Sequence, residues 1–78
     1  MATLRMFAAA REAAGVGTDI VDAPTVGEVL DEARRRYGEA FTRVLSRSRV
    51  WCNGEACSEA TPVGAADEVA VLPPVSGG

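Results

Sequence analysis

The chain has no histidine and no lysine; all eight of its basic residues are arginine. Without an imidazole it lacks the side chain that most readily serves as a general base near neutral pH. Neither of its two cysteines, Cys52 and Cys57, therefore has the partner that would activate a nucleophile. Two thiols also fall short of a structural zinc site, which wants four Cys or His ligands. Such sparing use of cysteine fits a reducing cytoplasm. With no lysine, the only primary amine is the N-terminus, which makes the chain a poor acceptor for amide-forming modification of itself; an arginine-biased genome would produce the same absence. There is no glycine-rich phosphate loop, and no spacing of carboxylates singles out an acid–base pair. An enzyme in its own right is not expected. No apolar run approaches the ~18 residues that span a bilayer. The opening "MATLRMFAAA" is interrupted by Arg5 and Arg11, which reads against a signal peptide. The net charge of −3 exerts no broad pull toward nucleic acid or an anionic membrane.

What remains is a single small domain of 78 residues, a size at which only ~60% of the unfolded surface is buried. "TLRMF" alternates Leu4 and Met6 with Thr3, Arg5 and Phe7, the period of a half-buried strand. "AAAREAAGVG" suggests a short helical turn or loop, and "TDIVDA" a second strand that forms a hairpin with the first. Thr25 and Glu28 make a capping box. Behind it Val26, Val29, Leu30, Ala33 and Tyr37 form one helical stripe, with acids early, Arg34, Arg35 and Arg36 late, and Gly38 as a left-handed stop. The triple arginine reads as solvated helix-end charge, with a basic docking patch as the alternative. "SRVWC", the Asn53-Gly54 turn and "EAC" read as a hairpin. "DEVAVLP" is the last strand, ended by prolines that cannot continue a ladder. The expected fold is α+β, β-β-α-β-β-β, a mixed sheet of about five strands with one main helix on one face.

Alternation sends Leu4, Met6, Ile20, Val50, Cys52, Val69 and Val71 toward the helix. Arg5, Phe7, Trp51 and Leu72 then point to the uncovered face. Three large apolar side chains together there make a patch of the kind that binds proteins; the bland alternative is that Trp51 folds over neighbouring aliphatic stems. Across the Asn53-Gly54 turn Cys52 faces Glu55, which leaves Cys52 and Cys57 diagonal at ~7–8 Å, too far for an easy disulfide.

The end of the chain, "LPPVSGG", has prolines that restrict the backbone and aim it away from the sheet. Gly77 and Gly78 follow, with no side chains to block a narrow channel. A terminal carboxylate is unreactive until it is adenylated; sulfur attack on the acyl adenylate then gives a thiocarboxylate. The tail, the helix "TVGEVLDEARRRYG", the segment "FAAAREAAG", the turn "CNGE" and above all "DEVAVLPPVSGG" resemble the ubiquitin-like β-grasp sulfur carriers, most of all the small subunit of molybdopterin synthase. That resemblance covers essentially the whole chain. It implies a β-grasp domain over residues 1–73 and a flexible Gly-Gly tail over 74–78. It implies that Gly78 carries the sulfur and that Gly77 and Ser76 give clearance. Phe7, Arg11, Trp51, Leu72, Pro73, Pro74 and Val75 would meet the partner. Trp51 and Cys52 depart from the small or aliphatic residues more usual before the turn. The implied partners are a ubiquitin-activating-enzyme-like adenylyltransferase that uses ATP and magnesium, a sulfur donor protein and the large synthase subunit. The chain itself would bind no cofactor, metal, nucleic acid or membrane, and would work in the cytoplasm. Related carriers for cysteine, thiamin or secondary metabolites, or a ubiquitin-like binding module, are the alternatives.

Overall fold

The computed structural model describes residues 1–74. In chain order the elements are β1 (Ala2–Met6), α1 (Ala8–Ala14), β2 (Thr18–Val21), α2 (Val26–Leu45), β3 (Arg49–Cys52), β4 (Glu55–Ala56) and β5 (Glu68–Leu72). They build one mixed sheet in the order β2-β1-β5-β3-β4, with β1 and β5 parallel and the other neighbours antiparallel. Both helices lie on the same face, and their apolar residues close the core over Leu4, Met6, Val69 and Val71.

The segment expected as a helical turn or loop is a full helix. Ala10 is completely buried, and Gly15 ends the helix at φ 81, donating its N–H to the Arg11 carbonyl. The connection between β1 and β2 thus adds a second element to the helical layer.

The β2 register corrects the expected core. Ala2 pairs with Val21, Thr3 with Ile20 and Leu4 with Asp19, so Val21 is buried while Ile20 turns to the open face, 48% exposed. Both phases of "TDIV" put one apolar residue inward. The choice is made by pairing with β1, which local alternation does not contain.

Half of the expected capping box forms: the Thr25 hydroxyl oxygen accepts the Glu28 N–H at 3.2 Å, while the Glu28 carboxylate accepts the Thr25 hydroxyl at 3.1 Å and not the Thr25 N–H. Two further donors of the first turn are met from outside the helix. Val26 N–H donates to the Thr61 carbonyl and Gly27 N–H to the Glu59 carbonyl, each at 2.9 Å. The segment between β4 and β5 thereby straps the start of α2, and a side chain at Gly27 would not fit under it: a Cβ there would lie 3.0 Å from the Glu59 Cβ.

Gly38 is the second correction. Its φ of 86° breaks the helical geometry as expected, but the helix resumes and runs to Leu45. The resumed turns bury Phe41 and Leu45, and Phe41 meets Tyr37 edge to face with ring centres 5.2 Å apart. Gly38 is therefore a kink that re-aims the stripe, and core burial beyond it overrides the stop signal.

Candidate functional site

The uncovered face is built by register. Arg5 pairs with Ala70, and Ala70 with Trp51, placing these three in one row across the central strands. Leu72 stands opposite Arg49 in the next row. Phe7 follows β1 at that same end and donates its N–H to the Val71 carbonyl at 3.3 Å. Phe7 is 37% exposed, Trp51 and Leu72 are half-buried, and small Ala70 lies on β5 between Arg5 and Trp51. The Arg5 guanidinium sits 5.5 Å from the centre of the Phe7 ring and pairs with Glu68 at 3.7 Å. All four residues expected on this face, Arg5, Phe7, Trp51 and Leu72, lie on it; Ile20, unforeseen there, extends it toward β2.

Arg11 lies at the same end but around the rim. It leaves α1 and packs over Gly17, where a Cβ would come within 3.2 Å of the Arg11 Nε. Gly17 accepts the Met6 N–H, which fixes Arg11 beside the last residue of β1. Pro73 and Pro74 line a cleft with Ala9, Val44 and Arg47. The chain thus leaves β5 along the ends of both helices. Val75, Ser76, Gly77 and Gly78 lie outside the described residues, so the expected clearance and sulfur-bearing positions lie outside them too.

Charge is distributed along the strands. β1 and β5 finish at the end where β3 begins, which gathers Arg11, Arg47 and Arg49 around the exit of the chain. None of these three has an ion-pair partner among the described residues. The arginine triplet of α2 is instead engaged with acids: Arg34 with Asp31, Arg35 with Glu32, and Arg36 with Glu32 and Asp19. The two arginine hydrogen bonds hold the Glu32 carboxyl down at about 2. This is the solvated, self-satisfied reading of the triplet, as opposed to a free basic patch.

At the opposite end the Asn53-Gly54 turn is closed by side chains. Asn53 adopts φ 52 and Gly54 φ 81, the left-handed pair that a two-residue hairpin needs. The Asn53 amide donates to Asp67 Oδ1 and accepts the Glu68 N–H, both at 2.9 Å, while Asp67 Oδ2 accepts the Gly64 N–H at 2.8 Å. The Asn53 bond, then that of Gly64, holds the Asp67 carboxyl below the usual range. Cys52 faces Glu55 as expected, and both thiols are free. Burial pushes both up, with Asp67 and Glu55 adding to the effect at Cys52. Cys57 donates to the Val50 carbonyl at 3.5 Å, the behaviour of a packing thiol and not of a nucleophile. Among the described residues no group of three or more His, Cys, Asp or Glu could hold a metal, and no helix is long and apolar enough to cross a membrane.

A five-stranded mixed sheet under two helices, with a central strand running out to the chain end, defines a ubiquitin-like β-grasp. The chain belongs to the ThiS family, whose model matches residues 4–78, and has the ubiquitin-like fold of sulfur carriers and modifiers. It is 35% identical to SAMP1, small archaeal modifier protein 1, of Haloferax volcanii, with a TM-score of 0.86 over 99% of this chain and 98% of that one. A Pyrococcus furiosus protein assigned as subunit 1 of a molybdopterin converting factor is 25% identical, with a TM-score of 0.82 over 95% and 97% of the two chains. The BexX/CysO complex of Amycolatopsis orientalis contains a chain with the same fold, 21% identical at a TM-score of 0.82, all of both chains being covered. No curated protein matches.

Proposed function

We propose that this chain carries sulfur as a thiocarboxylate on Gly78 and serves as the small subunit of molybdopterin synthase. An adenylyltransferase like the ubiquitin-activating enzymes joins the Gly78 carboxylate to AMP, using ATP and magnesium and releasing pyrophosphate. Hydrosulfide supplied by a sulfur donor then attacks the acyl carbon, AMP leaves and the S–H proton passes to solvent, which gives the thiocarboxylate. The thiocarboxylate enters the large synthase subunit and gives its sulfur to the dithiolene of molybdopterin. The domain supplies no acid, base or metal to these steps. It contributes grip and aim, through Phe7, Trp51 and Leu72 on the open face, Arg11 at its rim, and Pro73, Pro74 and Val75 leading to Ser76 and Gly77.

The observation that carries this reading is the apolar patch beside the exit of β5, in a chain whose family match runs through Gly78. A partner that holds the patch holds the base of the tail with it. The kinship with SAMP1 favours a second reading, in which Gly78 is joined to amines of other proteins. Intact-mass measurement with ATP, an adenylating enzyme of this kind and a sulfur donor tests both. A sulfur-for-oxygen exchange that disappears on deletion of Gly78 is the expected result; unchanged mass overturns carriage. Rescue of cells lacking both molybdopterin synthase subunits, with the matching large subunit supplied, tests the destination. Failure of rescue while the exchange persists sends the sulfur to another product. Gly78-linked conjugates on other proteins would support the modifier reading.

A further inference from the structure

β2 is an edge strand, and two of its residues, Thr18 and Ile20, have both backbone groups turned away from the sheet. In β1 the odd-numbered residues bond toward β5: Thr3 N–H donates to the Asp67 carbonyl at 3.0 Å, and Phe7 N–H to Val71. Even-numbered residues bond toward β2, as Met6 N–H does to the Gly17 carbonyl at 2.9 Å. Because Ile20 stands opposite Thr3, its N–H and C=O face outward. Such a pair is a ready template for another strand.

At Ile20, though not at Thr18 among the described residues, both groups are taken by side chains. Ile20 N–H donates to Asp19 Oδ1 at 2.8 Å, and Arg36 Nη1 donates to the Ile20 carbonyl at 2.9 Å. The same Arg36 nitrogen reaches Asp19 Oδ2 at 3.0 Å, closing a loop of bonds over the edge. Arg36 is held in turn by Glu32 at 2.8 Å, and the Tyr37 hydroxyl donates to Asp19. Two side chains are thus committed to one residue's backbone, and two more hold them there. Among the described residues the opposite edge has no comparable device, and β4 is only two residues long. Beside the covered edge stand Ile20 and Val16, 48% and 43% exposed.

We propose that Asp19 and Arg36, positioned by Glu32 and Tyr37, form a clasp over the β2 edge, and that opening it exposes a strand-pairing surface whose occupant is β2 of a second copy. Self-pairing is favoured by the geometry. About a two-fold axis at Ile20, the residue meets its own mate, each N–H opposite the other's carbonyl, and the pairing is antiparallel and closed. The two Ile20 side chains then form an apolar cross-strand pair on the open face.

Sedimentation of the full chain over a concentration series tests this with no other component. The wild type is expected to stay monomeric. Arg36→Gln, which keeps the stem but loses the fork, and the double variant Asp19→Ala/Arg36→Gln are expected to dimerise, the double variant at least tenfold more tightly. Adding Ile20→Pro removes the outward N–H without touching the bonds to β1, and should return both to monomers. Amide exchange should show Ile20 protected in the wild type and again in the dimers. Clasp variants that remain monomeric at the highest concentration overturn the proposal. So does a dimer that survives Ile20→Pro, or a wild type that dimerises as readily as the variants.

Discussion

The two ends of the sheet are finished in opposite ways. Where α2 starts and β3 turns into β4, Asn53, Asp67, Thr25 and the strap through Glu59 and Thr61 answer one backbone group after another. Where β1 and β5 finish, Phe7 and half-buried Leu72 stay at the surface, and Arg11, Arg47 and Arg49 carry charge without an acid beside them among the described residues. One end uses its polar groups to hold the fold. The other leaves apolar surface and positive charge available to something outside it. In a chain of net charge −3, this makes the exit a local positive region that an acidic partner surface would find first.

The difference lies at the surface and not in the core, and the largest expected effect shows it. Phe41 sits past the kink, fully buried, on the half of α2 that runs toward the exit. Phe41→Ala should cost about 3–5 kcal/mol in urea unfolding; a loss under about 1 kcal/mol would mean that the exit end is soft throughout. Next comes Gly27→Val at the strapped end, where the new Cβ meets the Glu59 Cβ at 3.0 Å and its carbonyl oxygen at 3.1 Å. The strap must shift, at about 1–3 kcal/mol, with amide exchange accelerating at Val26 and Gly27. Trp51→Ser should do the reverse. It weakens binding to the proposed adenylating partner tenfold or more, as loss of an aromatic anchor does, while stability changes by less than about 1 kcal/mol. Equal losses in folding and binding would make Trp51 a packing residue and erase the contrast.

The smallest effect concerns pH. Burial, then its bond to Asp19, pushes the Tyr37 hydroxyl from 10.0 up to about 12. A group raised on folding stabilises fully below its unfolded value and loses that contribution as pH climbs through the folded one. Stability should therefore fall between pH 10 and 12, and Tyr37→Phe should flatten that limb. Glu32 acts with the opposite sign: its carboxyl is lowered from 4.5 to about 2, so its contribution fades as pH drops across that interval.

Features written in a short window were legible from the residues. The Thr25 cap on Glu28, the Asn53-Gly54 turn and the alternation of Leu4 with Met6 each occupy a few neighbouring positions, and each forms, though the Glu28 carboxylate takes the Thr25 hydroxyl in place of its N–H. Features that depend on a distant partner were not. Ile20 and Val21 are equally suited to face the core until β1 fixes the register. Gly38 looked like an end because its backbone preference is local, whereas the reason to continue lies in the core that receives Phe41. The spacing of Phe41, Val44 and Leu45 was the signal that could have extended the helix. The strap over Gly27 and the Asp19–Arg36 clasp left no pattern at all, being bonds between segments far apart in the chain. On the open face the pairing rows bring Phe7, Trp51 and Leu72 together as their alternation implied, while Arg11 belongs to the rim because α1 carries it there.

β5 is bonded on both sides, to β1 in parallel and to β3 antiparallel, and it is the strand that leads to the chain end. A tug on that end therefore loads two ladders lengthwise and together, so the bonds share the force where an edge strand would peel one bond at a time. A partner that draws the tail into a channel and later lets it go can pull against the domain as against a rigid handle.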